Sequence, residues 1–284
     1  MIRMISVMIF LILLSCNRKP QYQNEITIIM KLDTENSSEK SQVIKIIQKR
    51  LINDSISFKK ISDTSYEMMI LTNENTVDPY VNVISEYVNI PGKLNVYILA
   101  YPDSVAHIFD IIKKSIIIDE YMFNNLFVSY GEHIAVDESN RNYVDSLFKH
   151  PSIKAILEKC HIKHFWNWKL NPNKTRTIYF SEDISILTND AISSVSAKYK
   201  SKDDAWCSVK LKSEFKSSFS TITAKYMNRF LVVNIDNVCY CDGRIVEPLK
   251  ELPINGLNYN SALLLRSILN SGVMKRKVNI LKKD

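Results

Sequence analysis

The stretch EITIIMKL, residues 25–32, is apolar and rich in β-branched side chains, as expected of a β-strand. Polar residues of the kind that cap helices follow at 33–38, and a helical pattern begins after them. One face of that helix carries Val43, Ile44, Ile47 and Leu51. The stretch therefore predicts a strand followed by a helix that packs on it.

The rest of the first hundred residues extends this pattern. Two strand-like runs at Phe58–Ile61 and Tyr66–Leu71 flank a turn, a second helix is predicted from Asp78-Pro79, and Leu94–Leu99 forms a last strand. The order βαββαβ predicts a ferredoxin-like unit over residues 25–101.

The same order returns near the C-terminus, where the predicted hairpin turns at Asp236-Asn237, a pair that tolerates positive φ. A helix over Tyr259–Asn270 precedes a closing strand, Val278–Leu281. The fold class is predicted to be α+β, with two ferredoxin-like βαββαβ units flanking an inserted α/β segment. The predicted domains are 25–101, 102–180 and 181–284. Six helix residues are expected on the buried side: Val43, Ile47, Leu51, Phe219, Ile222 and Leu264.

The N-terminus predicts export. Arg3 is followed by an apolar run that is too short to span a bilayer and ends at Ser15-Cys16. The sequence Leu13-Leu14-Ser15-Cys16 resembles the lipobox of bacterial lipoproteins, which implies cleavage before Cys16 and a diacylglycerol on its sulfur. The alternative is an ordinary signal peptide with a chance cysteine. We expect a signal peptide at 1–15, a lipid-attached Cys16, a tether over 16–24, and a periplasm-facing protein of the cell envelope.

Composition restricts the partners. The chain has 37 Lys and Arg against 30 Asp and Glu, a formal charge of +7 that is small for 284 residues. A solvated surface explains this excess better than nucleic-acid binding, which an exported protein rarely performs. Attraction to anionic lipid headgroups remains open, because a lipid anchor would hold the chain beside them.

The sequence contains no strong motif for catalysis or metal binding. The four cysteines besides Cys16 are Cys160, Cys207, Cys239 and Cys241. They fit buried thiols better than a disulfide framework, because four are few for a chain of this length. Metal-capable side chains lie close together at Cys160-His161 and His164, but a strand through 161–168 would place the two histidines on opposite faces. No glycine-rich phosphate loop or nucleophile elbow is present. We therefore expect no catalytic residue, no metal, no cofactor and no enzyme activity.

Several segments, in collinear order over about 25–281, resemble the first periplasmic domain of SecD, with its base and head. They are Gln42–Leu51, Ile56-Ser57, Gly92–Tyr97, Ile186–Ala191, Val209–Glu214, Leu231–Asp236, Ile245–Pro248, Ala262–Leu265 and Ser271-Gly272. Between them, Ile153–Leu157 and Phe165–Trp168 are similar to an insertion in SecDF proteins of Bacteroidetes. The resemblance implies a base-like unit at 25–101 and a head-like subdomain at 181–284.

The sequence also departs from the SecD pattern. Ser55 stands where the family usually has glycine, and Leu71-Thr72-Asn73, Asp242-Gly243 and Met274-Lys275-Arg276 replace its glycine and proline corners. The transmembrane helices of SecD, with their proton-coupling residues, are not expected here. The resemblance therefore implies a lipoprotein that binds unfolded or nascent exported polypeptides, with Sec translocon components as further partners and no motor of its own. The alternative is a non-catalytic structural or interaction lipoprotein that uses the fold for another partner.

Overall fold

A computed structural model describes residues 24–32, 36–50, 56–62, 65–72, 84–114, 119–130, 133–274 and 278–282. The predicted signal peptide, Cys16, Leu51 and Ser55 lie outside these ranges, as do residues 78–83 at the start of the predicted second helix. Within these ranges, no helix combines the length and apolar character that crossing a bilayer requires.

The chain mixes helices and strands throughout, which confirms the α+β class. The strands are β1 (Asn24–Leu32), β2 (Ile56–Lys60), β3 (Ser65–Thr72), β4 (Leu94–Ile98), β5 (Val128–Tyr130), β6 (His133–Asp137), β7 (Ile162–Leu170), β8 (Thr175–Glu182), β9 (Leu187–Thr188), β10 (Ile192–Ser201), β11 (Asp204–Leu211), β12 (Phe230–Ile235), β13 (Val238–Arg244), β14 (Glu251–Leu257) and β15 (Val278–Lys282). The helices are α1 (Ser37–Arg50), α2 (Pro102–Lys114), α3 (Glu120–Leu126), α4 (Arg141–Lys149), α5 (Pro151–Lys159), α6 (Ser213–Lys225) and α7 (Tyr259–Ser271). Residues 84–88 are also helical.

The chain divides into two compact units, each of which is discontinuous in sequence. The first unit comprises Met1–Lys93, Ser194–Cys207 and Leu257–Asp284, and the second comprises Leu94–Ser193 and Ser208–Gly256. The predicted domains, in contrast, follow one another along the chain. That assignment stays a prediction.

The first unit contains a four-stranded antiparallel sheet in the order β15-β1-β3-β2. The sequence predicted that β4 closes this sheet and that residues 278–281 close the C-terminal unit. Both predictions are wrong, because β15 pairs with β1, with Val278 opposite Leu32, while β4 pairs with β12 and β9 elsewhere. Periodicity identifies a strand but not its partner, which is decided by tertiary packing.

The core of the first unit lies between this sheet and its helices. Apolar side chains of α1 and α7 pack with β1, β3 and the helical residues 84–88: Met30, Val43, Ile44, Ile46, Ile47, Met68, Ile84, Val88, Leu264 and Ile268. Burial is thus confirmed for Val43, Ile47 and Leu264, and also for Phe219 in the second unit, whereas Ile222 is half-buried.

A buried arginine joins the chain segments around this core. Arg50, at the end of α1, is 3% exposed. Its guanidinium donates to the carbonyl oxygens of Val88 (2.9 Å), Ile90 and Gly272 (3.3 Å), and its Nε donates to Ser271 Oγ (2.9 Å). Carbonyls at helix ends lack partners within their own helix, so a cation placed there both satisfies them and interacts well with the helix dipole.

The second unit contains an eight-stranded sheet in the order β5-β6-β8-β7-β13-β12-β4-β9. Strands of the predicted insertion, β5 to β8, therefore lie in the same sheet as β4, β12 and β13, because β7 pairs in parallel with β13. The tight turn predicted at Asp236-Asn237 is confirmed, with φ of 53° and 66°. Outside that sheet, the described residues include a three-stranded sheet in the order β10-β11-β14.

Gly92, in the SecD-like segment Gly92–Tyr97, has a φ of +73°, and an added Cβ would lie 2.6 Å from Ile268 Cγ2 and 3.3 Å from Arg50 Nη2. Gly256 has the same φ, but nothing lies within 4 Å of an added Cβ. We predict that Gly256→Ala lowers the free energy of unfolding by about 1–2 kcal/mol, the cost of a left-handed alanine. Gly92→Ala should cost about 1–3 kcal/mol more, from overpacking. Urea titration of both variants measures this difference, and equal losses would contradict the steric account.

Candidate functional site

An apolar groove in the second unit is the candidate site. It has a volume of about 400 Å³ and lies between α2, α3 and strands β6 and β8. Its walls are formed by apolar side chains, chiefly Val105, Phe109, Phe123, Phe127, Ile178 and Phe180. Binding sites for small ligands or side chains are commonly apolar recesses of this size with a few polar groups at the edge.

The sequence of α2 determines one wall. Pro102 occupies the first turn, where its missing N–H is not needed, and Asp103 complements the positive end of the helix dipole. Ile108 and Ile112 are fully buried four residues apart, which fixes the face of α2 that packs on the core. Phe109 lies beside that face and is half-buried, so part of its ring lines the groove.

The opposite wall is α3, a short helix with a defined start. Asp119 is its N-cap, and the Asp119 carboxylate accepts hydrogen bonds from the backbone N–H groups of Tyr121 (2.8 Å) and Met122 (3.2 Å). Phe123 and Leu126 are buried and anchor the helix, while Tyr121 is 78% exposed.

Four phenylalanine rings form the floor. The centroid of Phe109 lies 5.3 Å from that of Phe123, 5.1 Å from that of Phe127 and 5.4 Å from that of Phe180. Phe109 meets Phe123 and Phe180 edge to face, a favoured arrangement for aromatic pairs. These contacts fix the positions of the four rings relative to one another and so define the floor of the groove.

Polar side chains occupy the rim. Asp103 and Asp110 project from α2 and are exposed, and Asn124 lies on α3. Lys113 places its ammonium 5.4 Å from the centroid of the Phe123 ring, a cation–π distance. The groove thus combines an aromatic floor with charged groups at its edge.

A second recess of about 350 Å³ lies near the start of β7. The sequence predicts that His161 lies within a strand, but His161 has a φ of 56° and lies just before β7. His161 Nδ1 is 3.1 Å from Asp183 Oδ2, and Cys160 also lines the recess. Arg229 forms an ion pair with Glu182 (2.7 Å) and lies 3.8 Å from the centroid of the Tyr101 ring.

The residues considered for a metal site are not brought together. His164 is half-buried and contacts the Phe148 ring in a tilted arrangement, with 4.5 Å between ring centroids, while His161 is exposed. Cys207 and Cys239 are buried, and Cys160 is half-buried. Burial raises the pKa of the Cys207 thiol to about 12. Within the described ranges, no three metal-ligating side chains converge.

Comparison with known proteins gives matches only at the level of structure. Neither a protein-family model nor a curated protein matches the sequence. A crystal structure of SecDF in a super-membrane-facing form is similar over 98% of this chain, with a TM-score of 0.52 and 10% sequence identity. The chain has a SecD-like fold. Its match spans 33% of the length of that SecDF chain.

A second SecDF structure, described as that of a membrane component that enhances protein export, is similar over 91% of this chain and 99% of its own. Its TM-score is 0.49 and its identity is 11%. The similarity to the super-membrane-facing form of SecDF confirms, for the fold alone, the SecD resemblance inferred from the sequence. The lipid attachment at Cys16 lies outside the described residues and stays a prediction.

Sequence reasoning missed the groove. Phe109 follows a buried isoleucine in α2, and Phe123 and Phe127 are spaced as on one helix face, a pattern that equally describes ordinary core residues. The structure shows that Phe109 and Phe127 are only half-buried. Their partial exposure, which sequence periodicity does not report, distinguishes a groove floor from a closed core.

Burial lowers the pKa of His164 below its usual value, and the nearby Asp145 carboxylate only partly opposes this shift. Because the unfolded chain binds the proton more readily, the contribution of neutral His164 to stability is complete above about pH 6.5 and is lost as the pH falls through the folded-state pKa. We predict that wild type loses more stability than His164→Phe between pH 7.5 and pH 5, as measured by urea unfolding. The exposed His107→Gln should follow wild type. Equal losses in wild type and His164→Phe would show that His164 does not titrate in this way.

Proposed function

We propose that this chain is a SecD-like periplasmic lipoprotein that binds exported polypeptides while they are unfolded or nascent, and so assists Sec-dependent translocation without a motor of its own. The observation that carries the proposal is the apolar groove, which lies in a chain with a SecD-like fold. SecDF itself is described as a component that enhances protein export.

The groove suits unfolded chains because they expose apolar side chains that folded proteins bury. Phe109 and Phe127 present partly exposed rings, and an apolar side chain that packs on them removes apolar surface on both partners from water. Such contacts tolerate many sequences. Affinity should be about micromolar, because ordering a flexible chain offsets much of the contact free energy.

A strand edge lies beside the groove. Phe127, which lines the groove, directly precedes β5, and β5 is the terminal strand of the eight-stranded sheet in the described part of the chain. An extended polypeptide can pair its backbone with such an edge regardless of its sequence. Backbone pairing at β5 and side-chain insertion into the groove would then act on one bound segment.

The predicted lipid anchor would set both the location of the protein and its access to partners. Acylated Cys16 would hold the protein at the periplasmic face of a membrane, where exported polypeptides emerge and Sec translocon components are within reach. The groove lining offers apolar contacts and carboxylates, which suit binding rather than a reaction. We therefore propose a non-enzymatic protein that uses no cofactor and binds no nucleic acid.

The second candidate function is a structural or interaction lipoprotein that binds a folded envelope protein. It is favoured by exposed apolar side chains at the second recess, where Ile184 is 74% and Tyr101 is 58% exposed. Tyr101 is held against Arg229. A fixed, exposed aromatic ring of this kind resembles the anchors of interfaces between folded proteins.

Ala106 and Ala155 give a matched test, because both are exposed helix residues but only Ala106 lines the groove. We predict that Ala106→Trp fills the groove and weakens binding of an unfolded, reduced secretory protein by about tenfold, equivalent to about 1.4 kcal/mol. Ala155→Trp should bind as wild type does. Fluorescence titration and the delay of substrate aggregation measure the effect.

Equal binding by both tryptophan variants would place the interaction outside the groove. If wild type binds no unfolded chain, while one folded envelope protein co-purifies in stoichiometric amount, the second candidate function is correct.

A further inference from the structure

Two carboxylates line the apolar groove on the same side. Asp103 and Asp110 are seven residues apart on α2, which places them on one helix face about 10 Å apart along the axis. Both are exposed, and neither takes part in an ion pair with another residue of the described ranges. They are therefore available to a ligand that lies along α2.

The positive charge in the groove lining does not neutralise both of these carboxylates. Lys113 is the cation in the lining, and its ammonium lies over the Phe123 ring on the side of α3. The lining thus holds two carboxylates and one ammonium, whereas the whole chain carries a formal charge of +7. An acidic rim on a basic protein favours a ligand of positive charge.

We propose that the groove selects extended polypeptide segments that combine apolar side chains with two basic ones, spaced three residues apart. This inference rests on the proposed polypeptide-binding function. A segment in the extended polyproline II conformation has three residues per turn and rises about 3.1 Å per residue, so basic side chains at positions i and i+3 lie on the same side, about 9 Å apart, and match Asp103 and Asp110. The apolar side chains between and beside them enter the groove over Phe109.

The charges provide selectivity rather than most of the affinity. Asp103 and Asp110 are exposed, so pairs formed with them are hydrated, weakened by salt and individually modest. The apolar floor supplies the contact area shared by all bound segments. Segments with acidic residues at the same two positions are repelled by the carboxylates of Asp103 and Asp110. The groove therefore discriminates between segments by the sign of their charge as well as by their hydrophobicity.

The test uses three fluorescein-labelled ten-residue peptides of leucine and serine, with lysine, glutamine or glutamate at positions 4 and 7. Fluorescence anisotropy gives their affinities for wild type, for Asp103→Asn/Asp110→Asn, and for Asp190→Asn/Asp203→Asn. The last variant removes two exposed carboxylates outside the groove and controls for net charge. Thermal melting checks that all three proteins are folded.

Wild type and the control variant should bind the lysine peptide about fivefold more tightly than the glutamine peptide, and the glutamate peptide most weakly. Asp103→Asn/Asp110→Asn should reduce the preference for lysine to less than twofold while leaving the glutamine peptide unchanged. In 0.5 M NaCl, where charges are screened within about 4 Å, wild type should also lose the preference.

Equal affinity of wild type for the three peptides would overturn the selectivity and leave the binding function standing. A lysine preference that persists in Asp103→Asn/Asp110→Asn would also overturn it, because other groups would then be responsible. Failure of wild type to bind any of the peptides would instead overturn the proposed binding function and this inference with it.

Discussion

The contacts of the Phe109 ring with Phe123, Phe127 and Phe180 are the interaction on which the proposed site depends. They hold α2 against α3 and against the eight-stranded sheet, and they form the floor of the groove. Because Ile108 and Ile112 already bury the adjacent face of α2, Phe109 can stay half-exposed without loosening the helix. Core packing and an exposed apolar surface are therefore produced by the same side chains.

The first unit depends on a different constraint, the burial of a guanidinium group. Arg50 reaches the backbone carbonyls at the ends of two helical segments, and Gly92 leaves the room that this arrangement requires. This explains in physical terms why a glycine opens the SecD-like segment Gly92–Tyr97. A side chain at that position would meet Ile268 and Arg50 at once. The resemblance to SecD thus includes a position that packing restricts to glycine.

The sequence predicted the strands and helices better than it predicted which strands pair. The strand at 25–32, the helix carrying Val43 and Ile47, and the turn at Asp236-Asn237 are all found, because local periodicity and turn chemistry determine them. The pairing of β15 with β1 was missed, because two apolar strands look alike until tertiary packing selects one. The groove was missed for a similar reason: a half-exposed phenylalanine and a buried one have the same pattern in sequence.

Photo-crosslinking in cells tests the central claim, that the groove holds exported polypeptides, most directly. A benzophenone amino acid is placed at residue 106, which lines the groove, or at residue 216, an exposed position on α6 outside it. The account predicts that residue 106 crosslinks to a range of newly exported polypeptides, and that residue 216 does not. Crosslinking of residue 106 to a single folded protein, or equal yields of exported polypeptides at both residues, would contradict it.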